Sequence, residues 1–183
     1  MLNPRPYWFL RHGETDWNSQ GLSQGRSEVP LNANGIAQAH AAAHVLEGQG
    51  IERIVCSTLG RAVETTRIVA NVLNLSFTTD PDLREAAFGV QEGQPMGSWY
   101  DDWVSGTYTP EGGEVFADLR VRVKIAIDRA TGGPGLVLIV AHGALFRAAR
   151  AEMGLSALVR TGNGLPLFCQ PGEPWTLTAD GAP

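Results

Sequence analysis

Apolar and polar positions change period several times along the chain. Trp8 to Leu10 is a short apolar run, which predicts a buried first strand. From Asn34 to Leu46, Ile36, Ala39, Ala43 and Leu46 recur at helical spacing on one face, and Gly48 and Gly50 stop the helix. Ile51 to Cys56 predicts a second strand. Ser57 then reads as the N-cap of a helix striped by Leu59, Ala62, Val63, Thr66, Val69, Ala70 and Leu73. Phe77 to Thr79 predicts a short strand ended by Asp80-Pro81. Val115 to Ala130 has helical spacing, and Leu136 to Ala141 is apolar on both faces, as a central parallel strand is. Ala144 to Met153 predicts a helix closed by Gly154. Leu165 to Cys169 and Trp175 to Leu177, joined by QPGEP, predict a late hairpin, with Pro166 placing its first strand at an edge. Residues 89–113, rich in Gly, Trp, Tyr, Asp and Pro, show no period and read as a small lid.

This alternation predicts an α/β fold, a three-layer α/β/α sandwich around a mostly parallel, mixed sheet. No repeat, linker or low-complexity run divides the 183 residues, so one domain over 1–183 is expected, with the lid inserted at 89–113.

Composition narrows the function. The net charge of -5 and the lack of a basic stripe argue against nucleic-acid binding. Lys124 is the sole lysine, so Schiff-base chemistry is disfavoured. The arginines, by contrast, offer planar forks suited to phosphate. Cys56 and Cys169 fit no metal spacing and read as buried thiols in a reducing compartment. MLNPRPYWFL lacks a long apolar region, and no run is long enough to cross a bilayer. A soluble, cytoplasmic protein with no membrane partner is the expectation. Oligomeric state is open, a homodimer being one option.

The chemistry collects where strands end. Ligands of open α/β sheets bind beyond the carboxyl ends of the strands. There the sequence places Arg11-His12-Gly13 after the first strand, Ser57 to Arg61 after the second, and His142-Gly143 after the central one. Arginines beside a helix N-terminus make a dianion site, and a phosphate monoester is the common dianion. A histidine among arginines is held neutral and can attack phosphorus. A second histidine can bind a phosphoryl oxygen. Gly13 and Gly143 would let the backbone pass close to the ligand. His40 and His44, four residues apart, lack a third ligand and are expected on a helix flank, not at a metal. Trp99, Tyr100 and Trp103 read as lid packing first and as a substrate platform second.

RHGETDWN (11–18), STLGRAVETTRIV (57–69), LREAAFGVQEG (83–93) and VAHGALFR (140–147), in this order, resemble the motifs of the histidine phosphatase superfamily, in its phosphoglycerate mutase-like branch. Residues 24–39 and 110–123 extend the likeness. The resemblance implies His12 as nucleophile, with Arg11, Arg61 and Asn18 as phosphate ligands. It implies His142 as the second histidine, followed by Gly143 and Ala144 at the phosphate. It implies Glu85 as the group that protonates the leaving oxygen and then activates water. Ala144 stands where many members carry a second glycine. No metal or other cofactor is implied, because the arginines supply the positive charge.

The family includes phosphatases and mutases. No Lys or Arg lies between Arg84 and Arg120, whereas Glu85, Glu92, Asp101, Asp102, Glu111, Glu114 and Asp118 do. An acidic lid repels a second anionic group, so a phosphatase with a neutral or apolar leaving group is expected, with Arg26 or Arg84 as the candidates for any second anion. A phosphoglycerate mutase is the alternative, and a non-catalytic phosphate-binding module the third reading.

Overall fold

The computed structural model describes residues 1–179 of the chain. Its strands are β1 (Tyr7–Arg11), β2 (Ile51–Ser57), β3 (Phe77–Asp80), β4 (Leu136–Ala141), β5 (Pro166–Gln170) and β6 (Thr176–Thr178). Its helices are α1 (Asp16–Ser19), α2 (Ala33–Leu46), α3 (Gly60–Leu73), α4 (Trp99–Ser105), α5 (Phe116–Thr131) and α6 (Gly143–Glu152). Short 3-10 turns cover Pro81–Leu83 and Gly89–Gln91.

The strands form one open sheet in the order β3-β2-β4-β1-β5-β6. The first four are parallel, and β5 and β6 add an antiparallel margin. Alternate residues of the central strands face opposite ways. Trp8, Leu10, Leu138 and Val140 pack with Ala42, Ala43, Leu46 and Val69 of α2 and α3. Tyr7, Phe9, Ile139 and Ala141 pack with Trp103, Leu119, Val123 and Phe146 of α4, α5 and α6. These are the three expected layers. The helix after β1 thus lies on one face and the helix after the adjacent β4 on the other. The crevice between these two crossovers opens at the carboxyl ends of the strands.

Several expectations change in physical detail. Pro166 does not mark an edge: β5 lies between β1 and β6, and Pro166 is its first residue, opposite Leu10. A strand's first position needs no ladder donor, so an interior strand tolerates it there. In α2 the buried stripe is Gly35, Ala39, Ala42, Ala43 and Leu46, while Ile36 lies outside it, 38% exposed. The lid segment contains a helix, α4, whose period is masked because its aromatic residues pack on several sides. Phe88 meets Trp99, Tyr100 and Trp103 edge-on, and Trp103 meets Phe116.

Gly13 has a structural reason different from the expected one. A Cβ there would stand 2.3 Å from the Gly35 carbonyl oxygen, and a Cβ on Gly35 would stand 2.1 Å from that of Glu14. The pair lets the N-terminus of α2 press against the loop after β1. Gly35→Ala therefore overpacks this contact by about 1–3 kcal/mol, outweighing the better helix propensity of alanine. Urea denaturation of the variant checks this; a stability at or above wild type would contradict it.

Candidate active site

His12 comes directly after β1, and its backbone N–H donates to the Ala141 carbonyl at 3.0 Å, which ties it to the end of β4. The ring is buried. Nδ1 donates to the Gly13 carbonyl at 2.7 Å, so Nδ1 carries the proton. Nε2 then holds the lone pair, and it accepts from Arg61 Nε at 3.3 Å. Both bonds select the same tautomer. Burial, and then the charges of Arg61 and Arg11, hold His12 well below the usual histidine range. The arginines that the sequence displays are therefore the second cause of its neutrality, and desolvation is the first.

Arg61 stands in the first turn of α3, buried. Its two terminal nitrogens donate to the carbonyls of Ser27 and Gly25 at 2.9 and 2.7 Å. Arg11, the last residue of β1, donates to the Thr161 carbonyl at 2.7 Å and keeps a buried Nε with no partner among the described residues. Gly143 makes room for it: a Cβ there would stand 3.3 Å from the Arg11 guanidinium carbon. Here glycine serves the close approach of an arginine.

His142 links β4 directly to α6, at whose N-cap position it stands, and lies beside His12, ring centroids 5.1 Å apart. It is fully buried and held well below the usual range by burial first and Arg61 next. Its Nε2 is 2.7 Å from Ser57 Oγ, which also accepts from the Leu59 N–H at 3.2 Å. Ser57 thus ends β2 and does not cap α3, whose cap position is Leu59, without a side-chain bond. The imidazole nitrogen is the acceptor for the Ser57 proton among the described residues, which puts the His142 proton on Nδ1. That Nδ1 is buried and without a protein partner.

Glu85 comes from the loop after β3. Its carboxylate caps α6, taking the N–H groups of Ala144 at 3.0 Å and Leu145 at 2.9 Å, and that of Ala86 at 3.1 Å. The Ala144 amide, expected at the phosphate, is therefore bound to Glu85 in this arrangement. Arg122 and Arg26 bind the carbonyls of Asp82, Arg84 and Glu85, and both pair with Glu114, which fixes the Glu85 loop from behind. Asn18 closes a capping box with Thr15 on α1, and its Oδ1 accepts from Asn163 at 3.2 Å.

A cavity of about 200 Å³ opens among these groups. Arg11, His12, Asn18, Arg61, Glu85, Gly143 and Ala144 all line it, whereas His142, beside His12, is not among the lining residues. Tyr100, Arg147, Arg160 and Asn163 line it too, and of these the sequence marks only the aromatic one. Trp103 instead packs in the interior and donates to the Glu114 carbonyl at 2.7 Å. Of the acids between residues 85 and 118, Glu85 alone reaches the cavity. Arg26 and Arg84 do not reach it. Among the described residues no cluster of three or more His, Cys, Asp or Glu could hold a metal, and His40 and His44 are exposed on α2. No helix among them is long and apolar enough to cross a membrane.

A neutral imidazole with an unprotonated Nε2, set among guanidiniums at the carboxyl edge of an α/β sheet, defines a phosphoryl-transfer enzyme. The sequence profile of the histidine phosphatase superfamily (branch 1) matches residues 7–160, and the chain belongs to that family. It is 38% identical to the "Probable phosphoglycerate mutase GpmB" of Yersinia pestis, over 89% of this chain and 77% of that protein. Among solved structures it resembles a mycobacterial glucosyl-3-phosphoglycerate phosphatase complexed with VO3, at 30% identity and a TM-score of 0.82, covering 98% and 100% of the two chains. It also resembles the alpha-ribazole phosphatase of Shigella flexneri, at 28% identity and a TM-score of 0.79, covering 97% and 96%.

The buried rings make stability depend on pH. Protonation of His12 is opposed in the folded state and free in the unfolded one, near pH 6.5. The folded pKa is depressed, so this contribution is present above about pH 6.5 and is lost as pH falls below it. Relative to wild type, His12→Gln should gain up to about 2 kcal/mol of stability between pH 7 and pH 5. Denaturation at the two pH values reads this, and parallel losses in both proteins would refute it. Ser57→Ala leaves His142 Nε2 unpaired at a cost of about 1–3 kcal/mol. Imidazole ¹⁵N NMR should show His142 as the Nδ1–H tautomer in wild type and as a mixture in the variant.

Proposed function

We propose that the protein is a metal-independent phosphomonoesterase acting through a phosphohistidine on a small phosphorylated metabolite. It would work as a single domain in the cytoplasm, where free buried thiols such as Cys56 and Cys169 persist. The observation that carries the reading is the fixed tautomer of His12, with Nε2 unprotonated on the wall of an arginine-lined cavity.

The substrate phosphate takes the place between Arg11 and Arg61 and draws the Arg61 Nε–H away from His12. Nε2 then attacks phosphorus, an N–P bond forms, and the P–O bond to the leaving group breaks. Arg11 and Arg61 stabilise the charge on the equatorial oxygens, and the His142 Nδ1–H, buried beside His12 without a partner among the described residues, would add a donor once the phosphoryl group is on Nε2. Glu85, carrying the proton that the second half-reaction of each cycle returns to it, gives that proton to the leaving oxygen. Its Oε2 receives a single N–H bond, which leaves a lone pair for that proton. In the second half-reaction Glu85 takes a proton from water as the water attacks phosphorus, the N–P bond breaks and phosphate departs.

The phosphatases among the similar structures support hydrolysis. The similarity to a protein named a phosphoglycerate mutase supports a second reading, in which 3-phosphoglycerate is converted to 2-phosphoglycerate without net phosphate release. Phosphate release from p-nitrophenyl phosphate, sugar phosphates and 3-phosphoglycerate, with a chelator present, separates the two. Wild type should release phosphate, His12→Ala should release none above background, and Glu85→Gln should lose about 10²–10⁴-fold in kcat on alkyl esters. The loss should be smaller on p-nitrophenyl phosphate, whose leaving group needs no proton. Release that persists in His12→Ala would assign the nucleophile elsewhere.

A further inference from the structure

Arg147 sits on α6 one turn beyond Gly143, so the two share a face of the helix. It is 6% exposed, yet among the described residues it has no carboxylate or carbonyl partner. It lies instead over the face of Tyr100 on the lid helix, with the guanidinium carbon 4.6 Å from the ring centroid. A buried cation is normally paired, and a ring face compensates it only in part. Arg160, exposed and without an ion pair among the described residues, reaches the same cavity from the segment after α6. Neither is needed to hold the scissile phosphate, since Arg11 and Arg61 do that. Among the described residues no carboxylate other than Glu85 lines the cavity, and Glu85 is already bound by three N–H groups. Positive charge at this end of the cavity is therefore uncompensated.

We propose that Arg147 and Arg160 form a second anion subsite, so that the substrate is a phosphomonoester whose leaving group bears a further carboxylate or phosphate. Gly143 lies against Arg11, and Arg147 is one helical turn away, ~5–6 Å along the axis. The two acidic groups of the substrate are therefore separated by a short linker of a few atoms. Tyr100 positions the Arg147 fork, and Arg160 closes the subsite from the solvent side. The proposal replaces the neutral or apolar leaving group expected from the acidity of the lid with an anionic one, because the lid acids other than Glu85 do not line the cavity.

The proposal rests on the phosphatase reading and is tested by selectivity. Turnover of 3-phosphoglycerate is compared with that of its methyl ester, and fructose 1,6-bisphosphate with fructose 6-phosphate. Wild type should favour the acid of one pair by at least tenfold in kcat/KM, mainly through KM, and the pair that discriminates tells carboxylate from phosphate. Arg147→Met should reduce that ratio at least tenfold, and Arg160→Met, a change at an exposed position that leaves the core intact, severalfold. A wild-type ratio near one in both pairs, or ratios unchanged in Arg160→Met and in folded Arg147→Met, would overturn the subsite. Calorimetric binding of 3-phosphoglycerate and its methyl ester to His12→Ala keeps this question apart from catalysis. Tighter binding of the acid there, without turnover by wild type, would keep the subsite and reject the phosphatase; equal binding within this pair and within the fructose 1,6-bisphosphate and fructose 6-phosphate pair would reject the subsite.

Discussion

Two imidazoles are buried side by side next to two guanidiniums, and the site depends on both rings staying neutral. Desolvation opposes their protonation, and the neighbouring arginines oppose it further. A neutral His12 keeps its lone pair available, and its partners leave it one tautomer. The positive charge of Arg11 and Arg61 is then not spread over histidines but concentrated where a dianion would sit. Burial lowers both arginines from their ordinary range, yet a guanidinium remains charged throughout. The same desolvation thus silences the histidines and leaves the arginines strong.

The sheet brings these groups together. Pairing of β1 with β4 aligns Arg11 with Ala141, so the next residues of each strand, His12 and His142, leave the sheet together. The neighbouring strand, β2, is aligned with β4 at Cys56 and Val140 and brings Ser57 to the same level, where it meets His142. The loop after β3 supplies Glu85 to the N-terminus of α6. Its backbone carbonyls are gripped by Arg26 and Arg122, which never touch the cavity. Four parallel strands therefore each deliver one part of the site, and Arg11 and Arg61 face the cavity whereas Arg26 and Arg122 hold its wall.

Much of this was legible along the chain, because parallel strands buried on both faces are unbroken apolar runs, and the polar residues at their carboxyl ends stand out at once. Leu136–Ala141 and the site residues after β1 and β4 are examples. The resemblance supplied Glu85 and Asn18, which no periodicity marks. The features that escaped did so for physical reasons. Ser57 has the composition of a helix cap, and only the third dimension reveals a histidine opposite it. Pro166 reads as an edge residue unless it is known to occupy a strand's first position. α1 is a four-residue turn, and α4 is packed on several sides, so neither displays a stripe. Arg147 stands in an otherwise apolar-spaced helix, where an arginine is usually taken for the solvent face, and Asn163 and Arg160 lie in a segment without period.

The lid shows why charge counted along a segment is a poor guide to charge felt in a cavity. Between Arg84 and Arg120 the chain carries acids and no basic residue, which along the sequence predicts a negative field over the site. Yet Glu92 is occupied by the N–H groups of Arg26 and Phe88, and Glu114 by the guanidiniums of Arg26 and Arg122. Asp101, Asp102, Glu111 and Asp118 face solvent, where screening weakens them within about 8 Å at physiological salt. The lid acids thus act as hydrogen-bond acceptors that shape a loop or as solvated surface, whereas the cavity takes its sign from β1, α3, α6 and the segment after it. The field that a dianion would meet in the cavity is set by where the side chains point, not by the charges counted along the lid.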